Sequence, residues 1–326
     1  MRILVTGSAG FVGSWIAQAL IENGHKVLGI DDFSGGENSA CDQLTLDLRN
    51  RRDLDIPIQF FKPEVLVHLA ANAREGASQF QPWEVVSRNV SAYASVLEAS
   101  LQAGVSRVVL FSSMAVYGDQ TPPFDETLPL KPVDVYGTCK ASMERMTEIL
   151  SLVHGFQWVV LRPHNVFGER QSMTDRYRNV VAIFMNRILR GEPIYIYGDG
   201  SQERAFSYIK NSLPCYVRAI EDTGVNKEAI NIGGRVPITV KKLAELVMEQ
   251  MGIEAKIIYL PDRPLEVKYA YATTEKSERL LNYVEQYSLE SGIASMASWA
   301  KKAGLREWKS EPLALVNELT PKTWVE

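Results

Sequence analysis

The stretch VTGSAGFVGSWIAQAL, residues 5–20, decides the fold. It overlaps an apolar run at 2–6, and Gly7, Gly10 and Gly13 stand between that run and a segment with helical periodicity. Glycines at such a turn let the backbone approach a ligand closely, and the N-terminus of the following helix favours an anionic group. The stretch therefore predicts a strand, a tight turn and a helix that together bind a pyrophosphate.

A second apolar run, 26–30, ends in Asp31 and Asp32, and Asp31 lies 18 residues after Gly13. A carboxylate in this place accepts a hydrogen bond from the ribose 2′-hydroxyl of NAD and repels the 2′-phosphate of NADP. We therefore expect NAD as the cofactor. The glycine spacing is GxxGxxG, not GxGxxG, and so differs from that of the commoner two-domain dehydrogenases.

Apolar runs and helix-period segments alternate up to about residue 165. The runs lie at 2–6, 26–30, 65–69, 106–111 and 157–161, and the helical segments at 12–23, 85–103 and 137–153. This alternation is typical of a parallel sheet that helices cover on both faces. The sequence predicts an α/β fold with a Rossmann-type, doubly wound parallel sheet.

The alternation loosens beyond residue 165. There the chain is polar and rich in loops, with helical segments near 180–190, 212–222, 239–251 and 291–302. We predict an NAD-binding domain at 1–165, with later segments near 205–225 returning to it. Residues 166–326 are expected to form mainly a smaller C-terminal α/β domain that binds the substrate.

The composition argues against several partners. The net charge is −4 and the basic residues are scattered, so nothing indicates nucleic acid or a membrane surface as a partner. No apolar run approaches the ~18 residues that span a bilayer. Three cysteines form no CxxC pair and four histidines lack metal-ligand spacing. We expect a cytoplasmic protein with no metal, whose partner is a small molecule.

The segment YGTCK, 136–140, places Tyr136 and Lys140 four residues apart on one face of a predicted helix. A tyrosine that acts as a base at neutral pH needs its pKa lowered by roughly 3, which corresponds to about 4 kcal/mol. The lysine and the nicotinamide charge can supply that. Ser113, just past the strand at 106–111, can bridge a substrate oxygen and the tyrosine. These residues predict proton transfer without a metal.

Six segments together resemble the extended short-chain dehydrogenase/reductase family. They are TGSAGFVG, HLAA at 68–71, SSMAVYG, YGTCK, LRPHNVFG at 161–168 and GDGSQERAFSYI at 198–209. Within that family the chain is similar to the NAD-dependent nucleotide-sugar epimerases of the UDP-glucose 4-epimerase type. The resemblance extends from residue 1 to about residue 300.

The resemblance implies a nucleotide-sugar 4-epimerase, with uridine favoured by analogy. Ser113 would be the catalytic serine, Tyr136 the acid and base, and Lys140 the residue that lowers the tyrosine pKa and binds the nicotinamide ribose. In such enzymes NAD takes hydride from a sugar carbon while the tyrosine takes the hydroxyl proton. The 4-keto sugar then rotates and receives the hydride on its other face.

The resemblance also implies binding residues. For NAD they are Gly7, Gly10, Phe11, Val12, Gly13, Asp31, Asp32, Ser34, Asp47, Leu48, Leu69, Ala70, Ala71, Asn89, Tyr136, Lys140 and Pro163. For the nucleotide sugar they are Ser113, Asn165, Asn179, Arg204 and Arg263. Arginine forks suit a diphosphate. A small residue at Ala270 would leave room for an N-acetyl group, and the helices at 85–103 and 137–153 would form a homodimer interface.

Related reactions need side chains that this chain lacks after Ser113. Similar dehydratases have Asp-Glu there, decarboxylases have Glu at the second place, and 3,5-epimerases have Cys. Met114 and Ala115 cannot move a proton, so 4-epimerisation has the fewest unmet requirements. A 4-ketoreductase uses the same Ser, Tyr and Lys and remains an alternative, as does an NAD-binding protein without catalysis.

The identity of the sugar stays open. His164 and the polar insert ERQSMTDRYR, 169–178, depart from the family pattern. The charged residues of this insert either bind a charged group on the sugar or pair with one another at the surface.

Overall fold

The computed structural model describes residues 1–309 and 311–325. Its strands are β1 (Arg2–Thr6), β2 (Lys26–Asp31), β3 (Asp42–Thr45), β4 (Val65–His68), β5 (Arg107–Phe111), β6 (Gln157–Pro163), β7 (Val166–Phe167), β8 (Ile194–Tyr197), β9 (Glu203–Ala205), β10 (Ser207–Tyr208), β11 (Glu228–Ile232), β12 (Pro237–Thr239), β13 (Ile257–Leu260) and β14 (Tyr269–Ala270). Its α-helices are α1 (Phe11–Glu22), α2 (Arg51–Phe61), α3 (Pro82–Val86), α4 (Ala92–Gln102), α5 (Val135–His154), α6 (Val180–Leu189), α7 (Ile209–Glu221), α8 (Val240–Met251), α9 (Glu275–Leu281) and α10 (Leu289–Ala303).

Seven of these strands form one parallel sheet in the order β11-β6-β5-β4-β1-β2-β3. Strands β4 and β5 are buried along their whole length, as their continuous apolar runs predict for a sheet covered on both faces. The predicted α/β fold with a doubly wound parallel sheet is confirmed.

Alternate residues of β1 face opposite layers of helices. Ile3 and Val5 belong to the core that includes Ile16 of α1, whereas Leu4 belongs to the core that includes Val96 of α4. This period of two is the ordinary geometry of a strand. It places one helical layer on each side and leaves the carboxyl ends of the strands open at one edge.

The chain returns to the large sheet after residue 205. Helix α7 packs on α1, and β11 pairs with β6 at the edge of the sheet. The remaining strands form three small sheets, β10-β7, β12-β9-β14 and β13-β8, and α8 packs between α6 and α10. These elements make a second layer of structure beyond the carboxyl edge.

Two local features differ from simple helical periodicity. A π-helical turn, Ser87–Ser91, joins α3 to α4, so the helix expected at 85–103 is two helices with a widened turn between them. Such turns are frequent at functional sites. Within residues 1–309 and 311–325, no helix has the length and apolar character needed to span a bilayer.

Candidate active site

The turn between β1 and α1 forms a cradle made of backbone. Gly7 has a φ of 72°, and a Cβ added to it would lie 2.7 Å from the backbone nitrogen of Ala70. A Cβ at Gly13 would overlap the carbonyl oxygen of Gly7. Helix α1 has no side-chain cap at Gly10 and no acidic residue in its first turn. Its first amides are therefore left for an anion, which fits the pyrophosphate of NAD.

The carboxylate of Asp31 joins this turn to the end of β2. It accepts hydrogen bonds from the backbone nitrogens of Ala9 at 2.8 Å and Phe33 at 2.7 Å, and burial raises its pKa. Asp32 accepts a hydrogen bond from the Ser34 hydroxyl at 2.6 Å and pairs with Arg88 at 2.9 Å. Each carboxylate oxygen has a second lone pair, so Asp31 remains able to accept a ribose hydroxyl.

The other residues expected to contact NAD lie along the same edge of the sheet. Asp47, which pairs with Arg49 at 2.6 Å, and the buried Leu48 follow β3. Phe11 and Val12 stand at the start of α1, and Pro163 ends β6. Three further expected residues directly follow β4, namely Leu69, Ala70 and Ala71.

Asn89 is a fully buried polar residue of the π-helical turn. Its Nδ2 donates to the carbonyl oxygens of Asn72 at 3.0 Å and Val85 at 2.8 Å. Its Oδ1 has no hydrogen-bond partner in the described part of the chain, although the side chain is fully buried. A buried acceptor without a donor is unfavourable, and a ligand that supplies one would remove this cost.

Ser113, Tyr136 and Lys140 come from the end of β5 and the start of α5. The Ser113 hydroxyl accepts the backbone N–H of Ala115 at 3.1 Å. The Nζ of Lys140 donates to the carbonyl oxygen of Phe111 at 2.8 Å and lies 5.8 Å from the centre of the Tyr136 ring. Asp134 caps α5 by accepting the backbone N–H of Gly137 at 2.7 Å. The cap fixes the start of the helix that carries both catalytic candidates.

Burial opposes ionisation of both groups in the absence of ligands. It raises the pKa of Tyr136, against the hydrogen bond with Ser113 and the positive charge of Arg178, which lower it. It lowers the pKa of Lys140 to about 8. Because desolvation disfavours each charged form, the tyrosine needs a further cation close to it before it becomes a base at neutral pH.

A buried network holds the strand end behind these residues. Arg162 of β6 donates to Glu144 of α5 at 2.6 and 3.1 Å and to the hydroxyl of Tyr117 at 2.7 Å. The Ser112 hydroxyl also donates to Glu144, which lies one turn beyond Lys140. A buried ion pair whose partners are all hydrogen-bonded is costly to break, so the network fixes α5 relative to β5 and β6.

A cavity of about 250 Å³ lies between the carboxyl edge of the sheet and the smaller sheets. Four residues expected to bind the nucleotide sugar line it: Asn165, Asn179, Arg204 and Arg263. Asn165 donates to the carbonyl oxygen of Ala205 at 2.9 Å, and Asn179 stands at the start of α6. The structure thus brings together residues that are up to 98 positions apart, from Asn165 to Arg263.

The cavity carries a surplus of guanidinium groups. Arg263 and Arg204 share one carboxylate, that of Glu266, at 2.8 and 3.3 Å. Their positive charges hold the pKa of Glu266 below its usual range. Arg176 and Arg178 line the cavity too, and neither has an ion pair with any of the described residues. Such an arrangement suits a diphosphate.

The polar insert at 169–178 divides into two parts. Glu169 binds Lys210 at 3.1 Å, Arg170 lies 4.2 Å over the ring of Trp15, and Asp175 binds Arg74 at 2.8 Å. These residues attach the insert to its surroundings. Arg176 and Arg178, in contrast, face the cavity. The charged residues that are paired thus contact residues outside the insert and not one another, and binding of a charged ligand group by Arg176 and Arg178 stays a prediction.

A recess of about 30 Å³ next to Met114 and Ala115 holds two acids that no sequence motif predicted, Glu75 and Asp134. Met114, Ala115 and Ala270 line this recess, as do Glu75 and Asp134. The sequence leads us to expect no acid or base after Ser113, but the structure brings two carboxyl groups there from other segments. A helix cap directly before YxxxK is a signal for Asp134, whereas no motif marks Glu75.

Aromatic residues that no motif marks also line the main cavity. Trp324 meets Tyr177 edge-on at 5.3 Å and Tyr197 at 6.3 Å between ring centres. The hydroxyls of Tyr197 and Thr323 are 2.7 Å apart. The segment that follows α10 thereby closes part of the cavity wall.

Comparisons with known proteins agree with this geometry. Residues 3–233 match the model of the NAD dependent epimerase/dehydratase family. The chain is 30% identical over 319 residues to the UDP-glucuronate 4-epimerase of Thermodesulfobacterium geofontis, covering 92% of this chain and 96% of that protein.

Solved structures give the same picture. The UDP-glucose 4-epimerase of Thermotoga maritima with UDP-glucose matches with a TM-score of 0.88 at 32% identity, over 93% of this chain and 99% of the other. The UDP-glucuronic acid 4-epimerase of Bacillus cereus, in complex with UDP-glucuronic acid and NAD, matches with a TM-score of 0.84 at 30% identity, over 93% and 100%. These three proteins are all named as 4-epimerases and differ in the sugar.

Proposed function

The chain belongs to the NAD-dependent epimerase/dehydratase family, and on this premise we propose that it is a nucleotide-sugar 4-epimerase that acts on a UDP sugar. NAD is its cofactor, and the backbone cradle at Gly7, Gly10 and Gly13 with Asp31 beside it suits that cofactor. The alternatives on this scaffold are a 4-ketoreductase and an NAD-binding protein without catalysis.

One observation carries the proposal. Lys140 binds the carbonyl oxygen of Phe111 at the end of β5 and lies 5.8 Å from the centre of the Tyr136 ring. Met114 and Ala115, the two residues after Ser113, line the recess next to the arginine-lined cavity. This arrangement supports oxidation and reduction at one carbon of a bound sugar. It offers no proton-moving side chain at the two positions that similar dehydratases use.

The residues have separate tasks in the proposed reaction. NAD, when bound, supplies the acceptor and donor of the hydride. Tyr136 accepts the proton of the sugar C4 hydroxyl and later returns it, while Ser113 holds that oxygen. Lys140, anchored on the carbonyl of Phe111, keeps a positive charge near the phenol and stabilises the phenolate.

The nucleotide would be held by charge. The forks of Arg204 and Arg263 can each bind phosphate oxygens, and Glu266 keeps both forks oriented. Arg176 and Arg178 add positive charge to the same cavity. Asn179 at the start of α6 places the first amides of that helix at the cavity wall.

Purified protein incubated with UDP-, GDP-, CDP- and dTDP-sugars tests the proposal. We expect anomeric proton NMR to show a C4 epimer from a UDP sugar, with no net NADH. Tyr136→Phe should lower the rate by about 10²–10⁴-fold, and Tyr259→Phe, an exposed tyrosine on β13, serves as the matched control. Stoichiometric NADH would indicate a dehydrogenase or reductase, and no product from any sugar would contradict the proposal.

We also propose a homodimer. Helices α3 and α5 pack together, and their outer faces expose apolar side chains, with Trp83 and Leu152 each 78% exposed and Ile149 and Val153 beside Leu152. The apolar side chains that the last turns of α5 expose together indicate an association surface. A Leu152→Glu variant should sediment as a monomer at micromolar concentration where the wild type sediments as a dimer. A monomeric wild type would refute the dimer.

A further inference from the structure

Glu75 is the residue of interest, because it stands in a turn that other contacts fix. The turn follows β4, and in it the backbone nitrogen of Arg74 donates to Asn72 Oδ1 at 3.3 Å and the Ser78 hydroxyl donates to the carbonyl oxygen of Glu75 at 2.7 Å. The guanidinium of Arg74 binds Asp175 at 2.8 Å. These bonds hold the backbone of Glu75 in one place beside the cavity.

The carboxylate of Glu75 has no partner among the residues that the structure describes. It lines both the main cavity and the recess, and it forms no hydrogen bond or ion pair with any side chain between residues 1–309 or 311–325. Arg204 and Arg263 act on it by charge, but both bind Glu266 instead. The side chain is exposed at the cavity wall. It is therefore available to a ligand.

The charges at the recess are negative on balance. Glu75, Asp134 and Arg204 line it, so the balance is negative above the pKa of Glu75, which desolvation and the charge of Asp134 raise to about 7. The arginine of the recess is Arg204, which is bound to Glu266 and to the carbonyl oxygens of Glu203 and Lys268. Arg178 lines the main cavity rather than the recess.

We propose that Glu75 is a specificity residue of the sugar site, which accepts a hydrogen bond from an uncharged sugar and disfavours a sugar that carries a carboxylate. This inference rests on the proposed function and narrows its substrate class to UDP-linked hexoses or N-acetylhexosamines. Two ionised carboxylates close together repel each other. A hydroxyl or amide N–H in the same place gives Glu75 the donor that it lacks.

Equilibrium binding separates this inference from the proposed reaction. The NAD-loaded wild type, Glu75→Gln and Glu249→Gln are titrated calorimetrically with UDP-glucose and with UDP-glucuronate. Glu249 is an exposed residue of α8 outside the site, so its variant removes the same charge elsewhere. We expect the wild type to favour UDP-glucose, and Glu75→Gln to improve the relative affinity for UDP-glucuronate by about tenfold or more, that is by ~1.4 kcal/mol.

The outcomes are distinct. If Glu75→Gln changes the ratio of the affinities for UDP-glucose and UDP-glucuronate but the wild type forms no epimer, the specificity role is supported and the proposed reaction is contradicted. A wild type that prefers UDP-glucuronate, or a ratio that stays the same in Glu75→Gln, would overturn the inference. A 4-keto-6-deoxy sugar that disappears in Glu75→Gln would also overturn it, because Glu75 would then move protons. If Glu75→Gln misfolds, Glu75→Ser provides the same comparison.

Discussion

The turn between β1 and α1 and the cavity beside α6 are built in different ways. The turn is made of backbone, since Gly7 and Gly13 leave no room for a Cβ and α1 has no side-chain cap. The cavity is made of side chains, with arginines and carboxylates from segments that are far apart in the chain. The first region depends on a few consecutive residues, and the second depends on the whole fold.

This difference suggests that each region can be disabled while the other stays intact. A backbone cradle tolerates no added atom at its closest contacts. A cavity of side chains changes its affinity and selectivity gradually with each substitution. The following predictions, from the largest expected effect to the smallest, test that separation.

Gly13→Ala should abolish NAD binding and reduce epimerisation by about 10³-fold or more, because the new Cβ overlaps the carbonyl of Gly7. NAD released from the denatured variant is measured by chromatography. UDP binding, measured by calorimetry, should stay within a few-fold of the wild type. A variant that purifies with full NAD content would show that the cradle is not the cofactor site.

Lys140, a buried residue of α5, predicts a pH effect in protein stripped of NAD. Burial lowers its pKa from 10.5 to about 8. Between these values the unfolded chain binds more protons than the folded chain, so the free energy of unfolding rises with pH. The rise is up to about 3 kcal/mol.

Urea unfolding of the wild type and Lys140→Met from pH 7.5 to pH 10 measures this effect. The unfolding free energy of the wild type should increase relative to that of Lys140→Met as the pH rises. A constant difference would mean that Lys140 keeps its ordinary pKa in the folded protein.

Arg263→Met should raise KM for the UDP sugar by about 10- to 150-fold, since a charge-assisted hydrogen bond contributes ~1.5–3 kcal/mol. NAD content should not change, which is the reverse of the result at Gly13. Arg235→Met, at an exposed ion pair with Glu278, is the control. An unchanged KM would show that Arg263 does not bind the UDP sugar.

Ala270→Tyr should have the smallest effect and the most selective one. Ala270 lines the recess, so a larger side chain should reduce turnover of a UDP-N-acetylhexosamine several-fold more than turnover of a UDP-hexose. Competition by UDP alone measures whether the nucleotide end is intact. Equal losses of turnover for both sugars would show that Ala270 does not lie beside the substituent at C2 of the sugar.

The sequence predicts the sheet and the cradle well because their signals are local. Buried parallel strands are continuous apolar runs, and the glycine turn is a contiguous motif. The pattern does not predict β11, EAINI, because the strand is short and carries two polar residues, nor α2, because Pro57 stands inside that helix. These elements are stabilised by packing against the rest of the sheet, which a local pattern does not contain.

The sugar end of the site is only partly predictable for a related reason. Arg204 and Arg263 were found through family motifs, whereas Arg178 and Glu75 reach the cavity because particular turns are fixed by distant contacts. Arg74, for example, binds Asp175 and thereby joins the turn of Glu75 to the insert before α6. Which side of such a segment faces a cavity depends on tertiary packing and not on spacing.

The most direct test of the 4-epimerase proposal follows the hydrogen at C4. UDP-glucose, or the UDP sugar found active, is labelled with deuterium at C4 and incubated with the NAD-loaded protein, and the product is analysed by NMR and mass spectrometry. The account predicts the C4 epimer with the deuterium retained at C4 and no NADH released. Loss of the label to water, or a product unchanged at C4, would contradict it.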